Sequence, residues 1–335
     1  MTKMLGATAV GGAGIEGLRL VEGEMPTPGA GEALVRLNAA TLNYRDLLFA
    51  TGRLPGMTKT PDYVPLSCAA GVVAAVGGGV ERVAPGDRVS PIFALGWIEG
   101  QQTSLAMLGG QADGVARQYA VFPAESLVHN PATMSDLEAA TMTCAGLTAW
   151  NALFAPRPLR AGEWVLCQGT GGVSIAALQF AKAAGAHVAI TSSSDDKLAR
   201  ARALGADITV NYRRETDWAA AVRRELGGAR IDILVDVVGS SEVEAAAGLL
   251  APGGVISAIG MLGDDFSWER QEIGGHPVAP ITVGHRTDHE TMLAFCARHA
   301  VRPVVDVVYD LSRIDDAYRH LESGRFFGKV GITLL

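Results

Sequence analysis

The sequence has little cysteine. Four residues, Cys68, Cys144, Cys167 and Cys296, are spread over 335 positions. None forms a C-x-x-C pair and none lies near a histidine at zinc-ligand spacing, so no disulfide framework or zinc finger is expected. Wide spacing in a long chain points to reduced thiols and a reducing compartment. No stretch of about 18 uninterrupted apolar residues occurs, so no transmembrane helix is expected. The start, MTKMLGATAV, has no basic segment followed by a long apolar run, and no signal peptide is expected. A cytoplasmic protein is the resulting expectation. Positive charge is not in excess: 28 Lys+Arg stand against 35 Asp+Glu, a formal net charge of −7. Nucleic acid and membranes are therefore poor partners for this chain. No internal repeat of about 20–50 residues is visible.

Apolar side chains are plentiful. Hydrophobic residues make up 48% and charged residues 19%, and mean hydropathy is +0.22. Such a chain buries enough apolar surface to offset the entropy of ordering, which excludes disorder. At roughly 100–200 residues per domain, the length allows about two domains. The 41 glycines are scattered among hydrophobic runs and mark turns.

The first 125 residues are β-rich. ALVRLNAATLN (33–43), AAGVVAAVG (69–77), DRVSPIF (87–93) and RQYAVFP (117–123) are short β-prone runs between Gly, Pro and Asp. Segment 96–114 has no clear period and is expected to be a loop. From about Glu163 apolar strands alternate with helical stretches. Strands are expected at 164–169, 187–193, 207–212, 231–239, 254–260 and 280–284. Helices are expected between them at 173–185, 196–205, 218–226 and 241–250. This alternation means βαβ units and a parallel sheet. A helix at 289–300, a strand at 303–311 and a helix at 312–324 follow.

GTGGVS (169–174) joins the first of these strands to its helix. Gly169 permits the tight turn, and Gly171 lets backbone approach a pyrophosphate. Gly172 and Val173 open the helix, whose N–H groups and dipole favour an anion. Ser174 replaces the third glycine and is still small enough for close helix–strand packing. Strand, turn and helix together make dinucleotide binding the expectation. An NAD site usually carries Asp or Glu about 20 residues on, at the ribose hydroxyls. Here the second strand ends in Thr191-Ser192-Ser193-Ser194, with no carboxylate before Asp195. The hydroxyls of Ser192 and Ser193 and the Lys197 ammonium suit a 2′-phosphate, which favours NADP(H). The alternative is that Ser194-Asp195 only caps the next helix and Lys197 is a solvated surface charge.

These features resemble the medium-chain dehydrogenase/reductase superfamily, in its zinc-independent quinone oxidoreductase-like branch. The resemblance rests on segments 42–56, 69–89, 143–153, 168–186 and 323–334 and spans essentially the whole chain. It implies an α/β fold: a Rossmann doubly wound parallel sheet plus a β-rich GroES-like domain, with the active site in the cleft between them. Residues 1–124 and 295–335 would form the GroES-like substrate domain, and 125–294 the Rossmann domain. Zinc-using relatives need a Cys, a His-Glu pair and a later Cys. Asn43 stands at the first position, Ser67 and Cys68 at the pair, and Cys144 lies near the last. No metal is therefore expected. The resemblance places Lys197 and Tyr212 at the 2′-phosphate and adenine ribose, and Thr148 near the nicotinamide ribose and amide. Val238, Ile259 and Met261 would line the crevice at the strand ends. Arg325, Phe327 and Lys329 match a C-terminal segment that closes over the cofactor.

The implied reaction is hydride transfer between nicotinamide and a quinone, an enone or a carbonyl/alcohol substrate. Without a metal, the developing oxyanion needs hydrogen-bond donors. Asn43 is a candidate donor to substrate or ribose. Tyr44 is a candidate proton donor, with an aromatic wall as its alternative role. The resemblance puts Asn43, Tyr44 and Arg45 on a loop that faces the nicotinamide, and Asp46 is expected to fix this loop through backbone N–H groups. Enoyl reductases of the superfamily often carry Tyr where Leu54 stands, which weakens an enoyl-thioester reading. Tyr63, Phe93 and Trp97 line a pocket or belong to the core. His289 is expected at the surface, and His285 is a candidate substrate or cofactor contact. Family analogy implies a homodimer formed near 280–284. Two other readings stay open: an NAD-dependent secondary alcohol dehydrogenase and a non-catalytic NADPH-binding protein.

Overall fold

The computed structural model describes residues 3–335 except 55–57, 59–61, 103, 105, 240 and 261–268. The chain divides into two units, one of residues 1–144 and 284–335 and one of 145–283. The expected boundaries after 124 and before 295 thus move. Segment 125–144 stays with the first unit because its strand and helix pair and pack there.

The first unit opens with β1 (Lys3–Val10), β2 (Arg19–Glu24), β3 (Glu32–Thr41), α1 (Tyr44–Ala50) and β4 (Asp62–Tyr63). β5 (Cys68–Val76), β6 (Arg88–Pro91), β7 (Tyr119–Pro123), β8 (Leu127–His129) and α2 (Asp136–Thr141) follow. A wide π-helical turn, Met142–Gly146, comes next. The second unit holds α3 (Leu147–Phe154), β9 (Trp164–Gln168), α4 (Gly172–Ala183), β10 (His187–Ser192), α5 (Asp195–Ala203) and β11 (Ile208–Asn211). It continues through α6 (Trp218–Leu226), β12 (Ile231–Asp236), α7 (Ser241–Ala247), β13 (Leu250–Ala258), β14 (Glu272–Ile273) and β15 (His276–Pro280). The chain then returns to the first unit with α8 (Arg286–His299), β16 (Val305–Asp310), α9 (Ile314–Glu322) and β17 (Lys329–Thr333).

In the first unit the main sheet runs β16-β17-β3-β5-β6-β8, and β7 also pairs with β3. β3 is central because both its faces are apolar; Leu34, Val35, Leu37 and Ala40 are all buried. α9 presents Ile314, Ala317, Tyr318 and Leu321 to the same core.

In the second unit the sheet order is β11-β10-β9-β12-β13-β15-β14. Numbered from β9, the parallel strands read 3-2-1-4-5-6, the order of doubly wound dinucleotide-binding sheets. β9, β10, β12 and the second half of β13 are largely apolar and buried on both faces, as a covered parallel sheet requires. The last parallel strand is His276–Pro280, not 280–284. Its two prolines discount it as a strand in sequence, yet it pairs with β13 on one side and with only the two-residue β14 on the other, close to the sheet edge where lost N–H donors are tolerated.

The segment expected as a loop at the start of 42–56 is helical. Asn43 is extended, with φ −120° and ψ 156°, and α1 follows it. The Asp46 carboxylate accepts the Asn43 N–H at 2.7 Å, closing the first turn. Leu47, Leu48, Phe49 and Ala50 are buried. Among the described residues no helix is long and apolar enough to cross a membrane.

Candidate functional site

In the second unit the glycine turn has the expected form. Gly169 has φ +73°, a conformation that only glycine adopts without strain. Gly171 precedes α4, and no side chain caps that helix. The first N–H groups of Gly172, Val173 and Ser174 are therefore left for an anion. Ser174 does more than fit: its hydroxyl donates to the Gln168 carbonyl at 2.6 Å and seals the end of β9.

The ends of β10, β12 and β13 form the rest of this rim. Ser192 is buried and Ser193 half-buried at the end of β10. Ser194 caps α5, its hydroxyl accepting the Lys197 N–H at 3.4 Å. Asp195 is held by Asn211, whose amide donates at 2.7 Å, and by an ion pair with Arg214. Tyr212 follows β11 and is 45% exposed. After β12 the buried Asp236 carboxylate accepts the N–H of Val238 at 3.2 Å and of Gly239 at 2.9 Å. Ile259 donates its N–H to the Asp236 carbonyl, so Val238 and Ile259 sit on adjoining strand ends. A Cβ on Gly260 would lie 2.4 Å from the Gly239 nitrogen, so only glycine lets these two ends approach. Thr148 is buried on α3. Met261 lies outside the described residues.

The first unit holds a second cluster. Lys329, only 5% exposed, donates from Nζ to the Leu42 carbonyl and, at 2.6 Å, to Asn43 Oδ1. Lysine only donates, so Asn43 turns its oxygen to Lys329 and its Nδ2 the other way. That Nδ2 reaches Ser67 Oγ at 3.1 Å and Cys68 Sγ at 2.9 Å. Ser67 Oγ lies 3.5 Å from the same sulfur. Burial raises the Cys68 thiol, but the Cys144 donor, the Lys329 charge and the Ser67 hydroxyl outweigh it and hold Cys68 well below the usual thiol range. The Cys144 thiol is pushed up, by its donation to Cys68 and by burial. Burial lifts the Asp46 carboxyl from 3.8 to about 6, against the lowering pull of Arg45.

Several expectations change here. Asn43 has both amide hydrogens engaged within the cluster, so it positions neighbours and has no free donor for substrate. Lys329 is committed to Leu42 and Asn43, and the Phe327 side chain is in the core at 1% exposure. Of the three C-terminal candidates only Arg325 is exposed. Tyr44 is half-buried, and its hydroxyl oxygen accepts from the Arg53 guanidinium at 3.0 Å. That leaves the phenol proton to be donated. Tyr63, Phe93 and Trp97 are buried; Tyr63 meets Phe49 edge-on at 6.4 Å, and Trp97 donates to the Gly100 carbonyl. Leu54 packs on the core of this unit. His285 caps α8, its Nδ1 accepting the Asp288 N–H at 3.1 Å. His289 is fully buried, not at the surface, and burial lowers its imidazole to about 4.

Relatives of this fold hold a catalytic zinc, so the donor set must be tested against it. The positions that would ligate carry an amide, a hydroxyl and two thiols. An ammonium hydrogen-bonds to the amide oxygen. Among the described residues no three His, Cys, Asp or Glu side chains gather in a group able to hold a metal. These residues do not fit the three-ligand open site of a catalytic zinc.

Residues 29–132 match the family described as alcohol dehydrogenase GroES-like domain, and residues 172–313 the family described as zinc-binding dehydrogenase. A zinc-type alcohol dehydrogenase-like protein of Schizosaccharomyces pombe is 38% identical over 334 residues, covering 96% of each chain. An alcohol dehydrogenase of Geobacillus stearothermophilus is 33% identical, covering 95% of this chain and 96% of its own. A solved NAD-dependent alcohol dehydrogenase superposes with a TM-score of 0.85 at 34% identity, covering 98% of this chain and 99% of its own. Fold, glycine turn and relatives define the class: an NAD(P)-dependent oxidoreductase built from a GroES-like unit and a Rossmann-type unit. The chain belongs to the medium-chain dehydrogenase/reductase superfamily.

Proposed function

We propose that the chain is a zinc-independent, NADPH-dependent oxidoreductase acting on a quinone, an enone or a carbonyl/alcohol pair. The observation that carries the cofactor preference is the rim after β10. Hydroxyls of Ser192 and Ser193 stand where a ribose-binding carboxylate would stand, and Lys197 lies on the first turn of α5. The nearest acid, Asp195, is already neutralised by Arg214 and Asn211. A 2′-phosphate meets hydroxyls and cations here.

When bound, the cofactor exchanges a hydride at its nicotinamide C4. The chain supplies the rest. The uncapped N-terminus of α4 holds the pyrophosphate, and Val238 and Ile259 flank the crevice at the strand ends. Tyr44 is the proton donor in this reading, its phenol polarised by the Arg53 guanidinium. Asn43 and Lys329 act as positioning residues that fix the start of α1.

Replacing Lys197 by alanine removes one charge-assisted contact, worth about 1.5–3 kcal/mol. KM for NADPH should rise about tenfold or more while KM for NADH barely changes. Equal effects on the two cofactors would refute the assignment. The second reading, an NAD-dependent secondary alcohol dehydrogenase, draws on the likeness to the solved NAD-dependent enzyme. It predicts a preference for NADH that Lys197→Ala leaves in place.

A further inference from the structure

Asp195 is the first residue of α5 and follows the capping Ser194. One of its carboxylate oxygens accepts from Asn211 Nδ2 at 2.7 Å, and the other pairs with the Arg214 guanidinium. Both partners belong to the turn after β11. Asn211 also ties that turn together. Its side-chain oxygen accepts the Arg213 N–H at 3.0 Å. Its carbonyl accepts the N–H groups of Arg214 at 3.0 Å and Glu215 at 2.9 Å. The turn abuts the rim after β10, because Tyr212 donates its N–H to the Ser192 carbonyl at 3.1 Å. Ser192 and Asn211 are partners in the parallel ladder of β10 and β11. Asn211 is buried, whereas Tyr212, Arg213, Arg214 and Glu215 are exposed, so the turn has little core of its own.

We propose that Asp195 is a positioning residue for the adenosine half of the cofactor: it bolts residues 211–215 to the start of α5 and so holds Tyr212 beside Ser192 and Ser193. The inference rests on the reading above that this rim binds the adenosine 2′-phosphate.

The bolt inverts the sign expected of an acid at this place. A carboxylate acting on a phosphate through charge alone repels it, so its removal tightens binding. Asp195 instead spends its two oxygens on Asn211 and Arg214 and acts through geometry. Without the carboxylate the buried Asn211 amide loses its acceptor, and an unsatisfied buried donor is costly enough to shift the turn. A segment with few buried contacts opens locally at little cost, so the contacts to Asp195 set how firmly this one is held.

Two measurements test this, one of them without any ligand. Calorimetry of the full-length protein with adenosine 2′,5′-bisphosphate and with AMP reads the adenosine site directly. Asp195→Ala should weaken binding of the bisphosphate by about fivefold or more, the worth of one charge-assisted hydrogen bond passed on in part to the ligand. Amide hydrogen exchange of the free protein should be faster by about the same factor at residues 213–215. Asp195→Asn keeps an acceptor for Asn211 and should fall between wild type and Asp195→Ala in both measurements. Asp196→Ala removes the same charge one residue along α5 and should neither weaken binding nor speed exchange. Wild type that binds the bisphosphate and AMP equally would refute the 2′-phosphate reading alone, and the variants are then judged on AMP by the same criterion. Binding that tightens or stays the same in Asp195→Ala, unchanged exchange at 213–215, or an equal loss in Asp196→Ala would overturn the proposal.

Discussion

Asp46 and His289 are both buried in the first unit, and burial moves them in opposite senses. The Asp46 carboxyl is raised to about 6 from 3.8, and the His289 imidazole is lowered to about 4 from 6.5. Folded Asp46 binds a proton that the unfolded carboxyl has already released, so this residue adds stability as pH falls through about 6. Folded His289 refuses a proton that the unfolded imidazole takes up, so this residue removes stability as pH falls below 6.5. Each contribution is on the order of 3 kcal/mol and the two windows overlap. Asp46→Asn should therefore steepen the acid loss of stability, and His289→Leu should flatten it. Urea unfolding of wild type and both variants between about pH 4 and 7 checks this. Parallel pH curves for all three would contradict the burial account. Neither shift was legible in the sequence. Periodicity shows that a helix has a buried face, but one sequence does not show that His289 falls on it without a partner.

At the scale of elements, the βα alternation from Trp164 to Ala258 was legible because each buried strand is a short β-branched run and each helix begins and ends with turn residues. β2 was not, because its residues are mostly exposed and give no alternation. The cluster of Asn43, Cys68, Cys144 and Lys329 was also hidden. Its members stand side by side only once β5, the turn Met142–Gly146 and β17 are assembled, although the departures from the zinc-ligand pattern did mark three of the positions. Two glycines separate local from non-local requirements. Gly169→Ala places a Cβ in open space and costs the left-handed strain alone, about 1–2 kcal/mol. Gly260→Ala drives a Cβ into the backbone after β12, which adds about 1–3 kcal/mol of overpacking and moves Val238 away from Ile259. Thermal unfolding should rank Gly260→Ala as the more damaging change, and its cofactor KM should rise as well. A Gly260→Ala protein as stable as Gly169→Ala would contradict the close approach of the two strand ends.

For the molecule as a whole, the sequence resemblance reached the superfamily and both unit types, because the glycine turn and the segments around it are specific. It did not reach the division of labour at the first unit. Lys329 and Asn43 were expected at cofactor and substrate, and burial commits them to each other. The scarcity of cysteine takes on a second meaning at this scale. Two cysteines are ordinary core thiols, and two stand where the resemblance puts a metal's ligands, Cys68 beside the Asn43 that Lys329 holds. The proposed chemistry is therefore catalysis by cofactor and hydrogen bonds, with NADPH as the proposed reductant. The most direct test is steady-state kcat/KM with NADPH and with NADH on EDTA-treated enzyme, using a quinone or enone as acceptor. NADPH should be preferred by about tenfold or more, as one charge-assisted phosphate contact implies, and chelation should leave the rate unchanged. A preference for NADH, or activity lost to EDTA and restored by zinc, would contradict it.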